Sequence, residues 1–270
     1  MATAILQNWE SDFTQKSSSF DDLSAFLPSP LWSHWPNCQQ LMVLLKNTCN
    51  INGQKIQFLP DDEKLPAADL YYEERIGRTG IVCTRENNWH DFFNAMMWVM
   101  FPKIKQTISA RHLHEISLQN STKRTSVRDS LTHFDESGVI VAYSNADLMQ
   151  QIVDHQWKQC FFESKNCWFQ SIQPFILGHA LYEKFLNPYI GLTGKALFVE
   201  VEQDFFGCSK EEQIQQLDLA VFKILSETDI LIKPKNFKPL PLLGVPGWYE
   251  ENKQVEFYDN NKYFREKSFQ

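Results

Sequence analysis

The sequence predicts an α+β fold, with several helices packed on a small mixed or antiparallel sheet and an irregular aromatic, Pro-rich C-terminal tail. Three observations carry this. Segments of helical periodicity alternate with short β-type runs. No internal repeat or low-complexity linker divides the 270 residues, so one globular domain is expected over 1–270. Hydrophobic residues make up 43%, with 21 Phe, 8 Trp and 8 Tyr, and only 22% are charged, a composition that supports one large core.

Each element has its own signal. Residues 1–30 are mixed, with a Ser-rich patch at 16–19 and a Pro-Ser-Pro stop at 28–30. A helix is expected from about Asn37 to Asn47. Residues 54–59 alternate up to Pro60 and read as a strand, and 60–69 as an acidic loop. Leu70 to Ile76 reads as a second strand, followed by turn residues at Gly77 and Gly80. A strongly apolar helix should run from Asn88 to Met100, and Pro102 suits the first position of another that reaches Leu118. A polar loop at 120–126 and a short helix near 126–133 lead to a turn at Asp135-Glu136-Ser137-Gly138. Residues 139–143 form a β run. Asn145 caps a helix that continues, with breaks, to about Phe162. Pro174 opens an apolar helix over 175–186, closed by Asn187-Pro188, and 195–201 is β-like. Ser209 and Glu212 form a capping box for an amphipathic helix that ends near Thr228. The tail, 230–265, is expected to wrap the surface.

Charge and cysteine usage restrict the function classes. The net charge is -7, which argues against general nucleic-acid binding. The one basic stretch runs from Lys103-Ile104-Lys105 to Arg111, with Lys123, Arg124 and Arg128 beyond. Cysteines 38, 49, 83, 160, 167 and 208 form no C-x-x-C pair, so neither a zinc knuckle nor a redox motif is supported. No signal peptide and no membrane-spanning apolar run is visible, and a cytoplasmic location with reduced thiols is expected.

The apolar helix at 88–100 carries the most informative pattern. Asn87, His90, Asp91 and Asn94 fall within roughly a 100° arc of its surface. Helix capping accounts for an Asn and for Asp91, but leaves His90 and Asn94. Buried without partners, such groups cost several kcal/mol each, so a metal, a ligand or distant polar groups must meet them. His179 and Glu183, at i,i+4 spacing on one face of an apolar helix, form a second constellation. They suit either a divalent metal or a histidine held in one tautomer by a carboxylate. Asp135 and Glu136 are a third. Arg111 with Glu115 is a fourth, weaker case that also fits a buried ion pair. No Gly-rich phosphate loop, G-x-S-x-G elbow or His-Glu-x-x-His motif is present. Cys83 reads as a small strand residue rather than a nucleophile.

Several motifs occur together in order: Arg85-x-Asn87-x-x-His90-Asp91-x-x-Asn94-Ala95, Ala110-Arg111-His112, Phe134 to Gly138, Gly178 to Lys184, and Leu243 to Trp248. With them the chain resembles the bacterial domain-of-unknown-function family 3025 over about residues 70–265, with 1–69 as an N-terminal helical extension packed on that region. The resemblance implies a cytoplasmic proteobacterial protein of one domain and implies no activity.

The residues lead to the expectation of an enzyme, a metal-assisted hydrolase of an ester, amide or phosphoester of a small or anionic substrate. His90, Asp91, His179 and Glu183 would be the ligands of a divalent metal ion. Arg85 or Arg111 would neutralise the substrate, and Asp135 or Glu136 would be the general base. Asn87 and Asn94 complete the candidate site. A metal-free acid–base enzyme using His90 and Asp91 fits the same residues. The competing reading is a non-catalytic module in which these groups are structural and the tail around 240–248 and 258–264 docks a protein or an RNA.

Overall fold

The computed structural model describes residues 7–61, 66–67, 69–118, 125–227 and 236–267. Short turns lead to helix α1 (Asp21–Ser24), α2 (Cys38–Leu44) and strand β1 (Gln57–Leu59). Next come α3 (Tyr72–Thr79), β2 (Ile81–Cys83), α4 (Trp89–Met100), α5 (Pro102–Leu118) and α6 (Ser126–Ser137). Strand β3 (Gly138–Tyr143), α7 (Ala146–Val153), β4 (Ile172–Ile176), α8 (His179–Phe185), β5 (Thr193–Glu200), α9 (Lys210–Glu227) and β6 (Lys238–Pro241) complete the order. The fold is α+β. A mixed four-stranded sheet has the order β4-β3-β5-β6, with β3 and β5 parallel and the outer pairs antiparallel. A separate pair joins β1 to β2 in parallel.

Val139, Ile140, Val141 and Ala142 of β3 are wholly buried, as a central strand covered on both faces requires. Local chemistry sets the helix starts. Asn37 and Gln40 form a reciprocal capping box on α2. Ser209 and Glu212 do the same on α9. The first turn of α5 is capped from outside: Lys103 and Ile104 donate their backbone N–H groups to the Asp218 carboxylate of α9 at 3.0 and 2.9 Å.

Four expectations need correction. Residues 70–76 are not a strand; α3 begins at Tyr72, with Glu73 and Glu74 in its first turn and Arg78 in its last, charges that favour a helix at those ends. Gly80, at φ 76°, closes it in the left-handed region. The span 175–186 is not one helix: 172–176 is strand β4 and the helix starts at His179. Pro174 fits because β4 is an edge strand, where a missing N–H costs the ladder nothing on the open side. Asp135 and Glu136 lie in the last turn of α6, which runs straight into β3, rather than in a turn. The tail is not wholly a surface wrap: 238–241 pairs with β5, and Leu240, Leu242, Leu243, Val245 and Trp248 are buried.

The expected loop at 120–126 and the helix end near Thr228 fall wholly or largely outside the described residues. The basic stretch of α5 is no exposed stripe, because Lys105 is buried. No helix among the described residues is long and apolar enough to cross a membrane.

Candidate active site

Two junctions bring the distant motifs together. The first is the start of α4. Asn88 caps it, accepting from the Asp91 backbone N–H at 3.0 Å. Asp91 is then free to turn its carboxylate back onto Arg85. It accepts from the Arg85 backbone N–H at 2.7 Å and from both Nε and Nη2 at 2.9 Å. The second junction is where β4 enters α8 against the end of α6. Leu177 and Gly178 both donate backbone N–H groups to the Gly138 carbonyl. A Cβ on Gly178 would meet the Glu136 carbonyl at 2.5 Å and the Ser137 backbone at 2.6 Å. Only glycine permits that approach, and it sets His179 beside Asp135.

Helices α4 and α8 pack together, and their histidines meet. His90 Nε2 and His179 Nε2 are 3.0 Å apart, with the rings close to perpendicular at 78°. His90 Nδ1 is 3.1 Å from Glu183 Oε2. His179 Nδ1 is buried without a hydrogen-bond partner; the nearest carboxylate oxygen, Asp135 Oδ2, is 3.8 Å away. The two imidazoles therefore face each other through Nε2 and carboxylates through Nδ1.

Their acidities are driven apart. The hydrogen bond it donates to Glu183 raises His90 above the usual 6.5, against the effect of burial, while the same contact lowers Glu183. Burial pushes His179 down to about 4, although the Asp135 charge works the other way. Asp135 itself is buried, which would raise it, but the charges of Lys105 and His179 and the Lys105 hydrogen bond outweigh burial and keep it low.

These groups line one cavity of about 340 Å³, at the small end of ligand-pocket size. His90, Asp91, Asn94, Arg85, Asp135, Glu136 and His179 all contribute to its wall. Glu183 stands behind His90. Two expected members lie elsewhere. Asn87, at φ 52°, lines a separate small cleft with Trp35 and Cys38. Arg111 donates to the Leu225 carbonyl at 2.7 Å and faces a groove between α5 and α9, so it does not reach this site. Glu115, its suspected partner, accepts from Thr125 at 2.8 Å. Nor do His90, Asp91, His179 and Glu183 gather around one point: Asp91 is held by Arg85, and Glu183 is held by the far nitrogen of His90. Among the described residues, no group of three or more His, Cys, Asp or Glu is arranged to hold a metal ion.

The profile of the family described as Protein of unknown function (DUF3025) matches residues 56–268. The chain belongs to this family. No curated protein and no solved structure shows a significant match.

Sequence reasoning missed several residues of this DUF3025 site. Lys105 donates to both Asp135 oxygens, at 2.6 and 2.8 Å, and to Asn94 Oδ1 at 2.9 Å. Asn94 Nδ2 in turn donates to the Tyr72 hydroxyl at 2.6 Å. Tyr72, Glu73, Asp61, Cys83 and Thr132 complete the wall. A lysine in a helix that also carries Lys103 and Gln106 ordinarily points to water, so no periodicity marked Lys105. Tyr72 was concealed by reading its helix as a strand. Cys83 has its thiol pushed up to about 12 by burial and by Asp61, which removes it as a nucleophile at neutral pH.

Proposed function

We propose that this DUF3025 chain is a hydrolytic enzyme that splits an ester, amide or phosphoester bond of a small molecule by acid–base chemistry at the His90–His179 pair. One observation carries the reading: two histidines of opposed acidity share a 3.0 Å hydrogen bond on the wall of a cavity. A site that separates the acidities of two titratable groups has assigned an acid and a base. His90, supported by Glu183, is the protonated partner and donates through Nε2. His179 is neutral and accepts at Nε2, with its Nδ1–H directed toward the Asp135 charge.

An entering water and the substrate's leaving atom take over these two hydrogen bonds. His179 Nε2 accepts a proton from the water as its oxygen bonds to the reacting centre. His90 Nε2 donates a proton to the departing oxygen or nitrogen as that bond breaks. One water is consumed, and His179 is left with the extra proton. Passing it back to His90 across the 3.0 Å contact restores the resting pair. Glu136 also lines the cavity and is a second base there.

A metal-assisted form is the second reading, favoured by the same distance. Two ligand nitrogens on one tetrahedral ion at about 2.0–2.1 Å stand about 3.3–3.4 Å apart, a few tenths of an ångström from the contact seen here, and carboxylates behind metal-bound histidines are usual. Turnover of p-nitrophenyl acetate, p-nitrophenyl phosphate and an acyl anilide tests both. In wild type at least one should be hydrolysed, and His90→Ala or His179→Ala should lose roughly 10²–10⁴-fold with an unchanged circular dichroism spectrum. Unreactive wild type, or fully active variants, would overturn the proposal. Stoichiometric metal together with inhibition by chelator would select the metal form; neither would remove it. Leu240 to Val245, Trp248, Tyr258, Tyr263 and Phe264, the tail residues a binding module would use, are mostly buried, which supports the hydrolytic reading over that alternative.

A further inference from the structure

We propose that Tyr72 is a catalytic residue whose hydroxyl donates to the substrate's carbonyl oxygen, and that the reacting bond is therefore an uncharged ester or amide. The inference rests on the hydrolytic reading above and narrows its substrate.

The direction of the Tyr72 proton follows from Lys105. An ammonium has three protons and no lone pair. Lys105 Nζ meets three oxygens, two of Asp135 and one of Asn94, so all three protons are donated. Asn94 must present its carbonyl to Lys105, because an amide NH₂ there would set donor against donor. Its Nδ2 consequently faces Tyr72 and donates to the phenolic oxygen at 2.6 Å. Tyr72 accepts that bond, and its own single proton is left to point elsewhere. No other hydrogen bond engages this hydroxyl among the described residues, and Tyr72 lines the cavity with His90 and His179. The ring is partly exposed, but burial around the hydroxyl raises it well above its usual value, so the proton is retained at any working pH. Lys105, Asn94 and Tyr72 thus form a one-way chain of donors that ends in the cavity, fixed before substrate arrives.

The charge of the wall favours a neutral reacting group. Asp61, Glu73 and Glu136 line it, while Asp91 is paired with Arg85 and Asp135 with Lys105. A phosphoester would bring further negative charge to these carboxylates. A carbonyl brings none until water attacks. As the water oxygen bonds to the carbon, the C=O π pair moves onto oxygen, and the Tyr72 O–H strengthens its hydrogen bond to that oxyanion without giving up the proton. The pair returns when the carbon–leaving-group bond breaks.

Tyr72→Phe removes the donor and keeps the ring. Two readouts decide. For p-nitrophenyl acetate, kcat should fall roughly 10²–10³-fold with KM within about threefold of wild type and the circular dichroism spectrum unchanged. For trifluoroacetone, whose hydrate carries a tetrahedral carbon, the variant should bind at least about tenfold more weakly by ¹⁹F NMR titration, and inorganic phosphate should bind wild type more weakly than the ketone. Equal ketone affinity in the two proteins, no ketone binding, or tighter phosphate binding would each overturn the inference. Loss of turnover in His90→Ala with Tyr72→Phe fully active would sink Tyr72 and leave the histidine pair standing. Weaker ketone binding in Tyr72→Phe, with no turnover by wild type, would keep Tyr72 as a carbonyl donor and end the hydrolytic reading.

Discussion

The two faces of α4 perform opposite tasks within one helix. On one face, Trp89, Phe92 and Phe93 enter an aromatic cluster with Trp9, Phe13, Phe20 and Trp35; Trp9 stacks on Trp89 at 4.8 Å and Phe93 on Tyr182 at 5.4 Å. On the other, His90, Asp91 and Asn94 meet polar partners: Arg85 just before the helix, Tyr72 of α3, Lys105 of α5, and His179 and Glu183 of α8. Ring contacts are individually weak and many, so the aromatic face is tolerant in detail and strong in sum. The polar face depends on a few directional contacts, each costly to break. The first face holds the helix in place, which lets the second hold its side chains in one arrangement.

The largest effect should come from the aromatic face. Phe93→Ala empties a wholly buried site surrounded by Phe13, Phe20, Trp89, Phe92 and Tyr182, and should cost about 3–5 kcal/mol in urea denaturation, toward the upper end. A loss under about 1 kcal/mol would mean that this face is not what anchors α4.

Breaking the polar face at its deepest point should come close. Lys105→Met leaves the Asp135 carboxylate buried without its ammonium, at a cost of about 3–5 kcal/mol. Adding Asp135→Leu should restore most of that stability while abolishing turnover. If the double variant is no better than the single, packing rather than charge dominates there.

An intermediate effect should appear in pH dependence. His179 has its folded-state value depressed to about 4 from 6.5, so folding favours its neutral form. Its contribution is complete above pH 6.5 and is lost as pH falls through about 4, on the order of 3 kcal/mol in all. His90, raised, contributes in the opposite sense: its stabilisation is present at low pH and is lost as pH rises through its folded value. Comparing unfolding free energies of wild type and His179→Gln at pH 7 and pH 4.5 isolates the first limb, which should be flatter in the variant. Identical slopes would contradict a buried neutral His179.

The smallest effect belongs to the residue both faces share. Asn88→Ala removes the α4 cap and should cost about 1 kcal/mol. A larger loss, with turnover falling too, would show that the cap also positions Asp91 and Arg85.

Much of α4 was legible in the sequence because its signals are local. The cap residue, the apolar run and the polar stripe all lie within one helix, where 100° per residue fixes who shares a face. The His179–Glu183 pair survived a wrong boundary because i,i+4 neighbours remain neighbours wherever the helix starts. The strand at 172–176 was hidden by Pro174, a residue that reads as a helix opener until the open edge of the sheet is known. Lys105 and Tyr72 were hidden for another reason: their partners lie 30 and 22 residues away in sequence, on other helices.

By itself, then, the sequence determined the α+β class, most helix starts, and the identity of His90, Asp91, Asn94, Asp135, Glu136, His179 and Glu183 as polar groups in need of partners. Only the tertiary structure decided which partner each found. Asp91 went to Arg85, Glu183 and His179 to His90, and Lys105 to Asp135 and Asn94, while Asn87 and Arg111 were turned elsewhere. The physical reason is that periodicity encodes the direction a side chain leaves its own element. What it meets depends on how elements pack, and here that came down to a glycine at 178 that lets α8 rest on the end of α6.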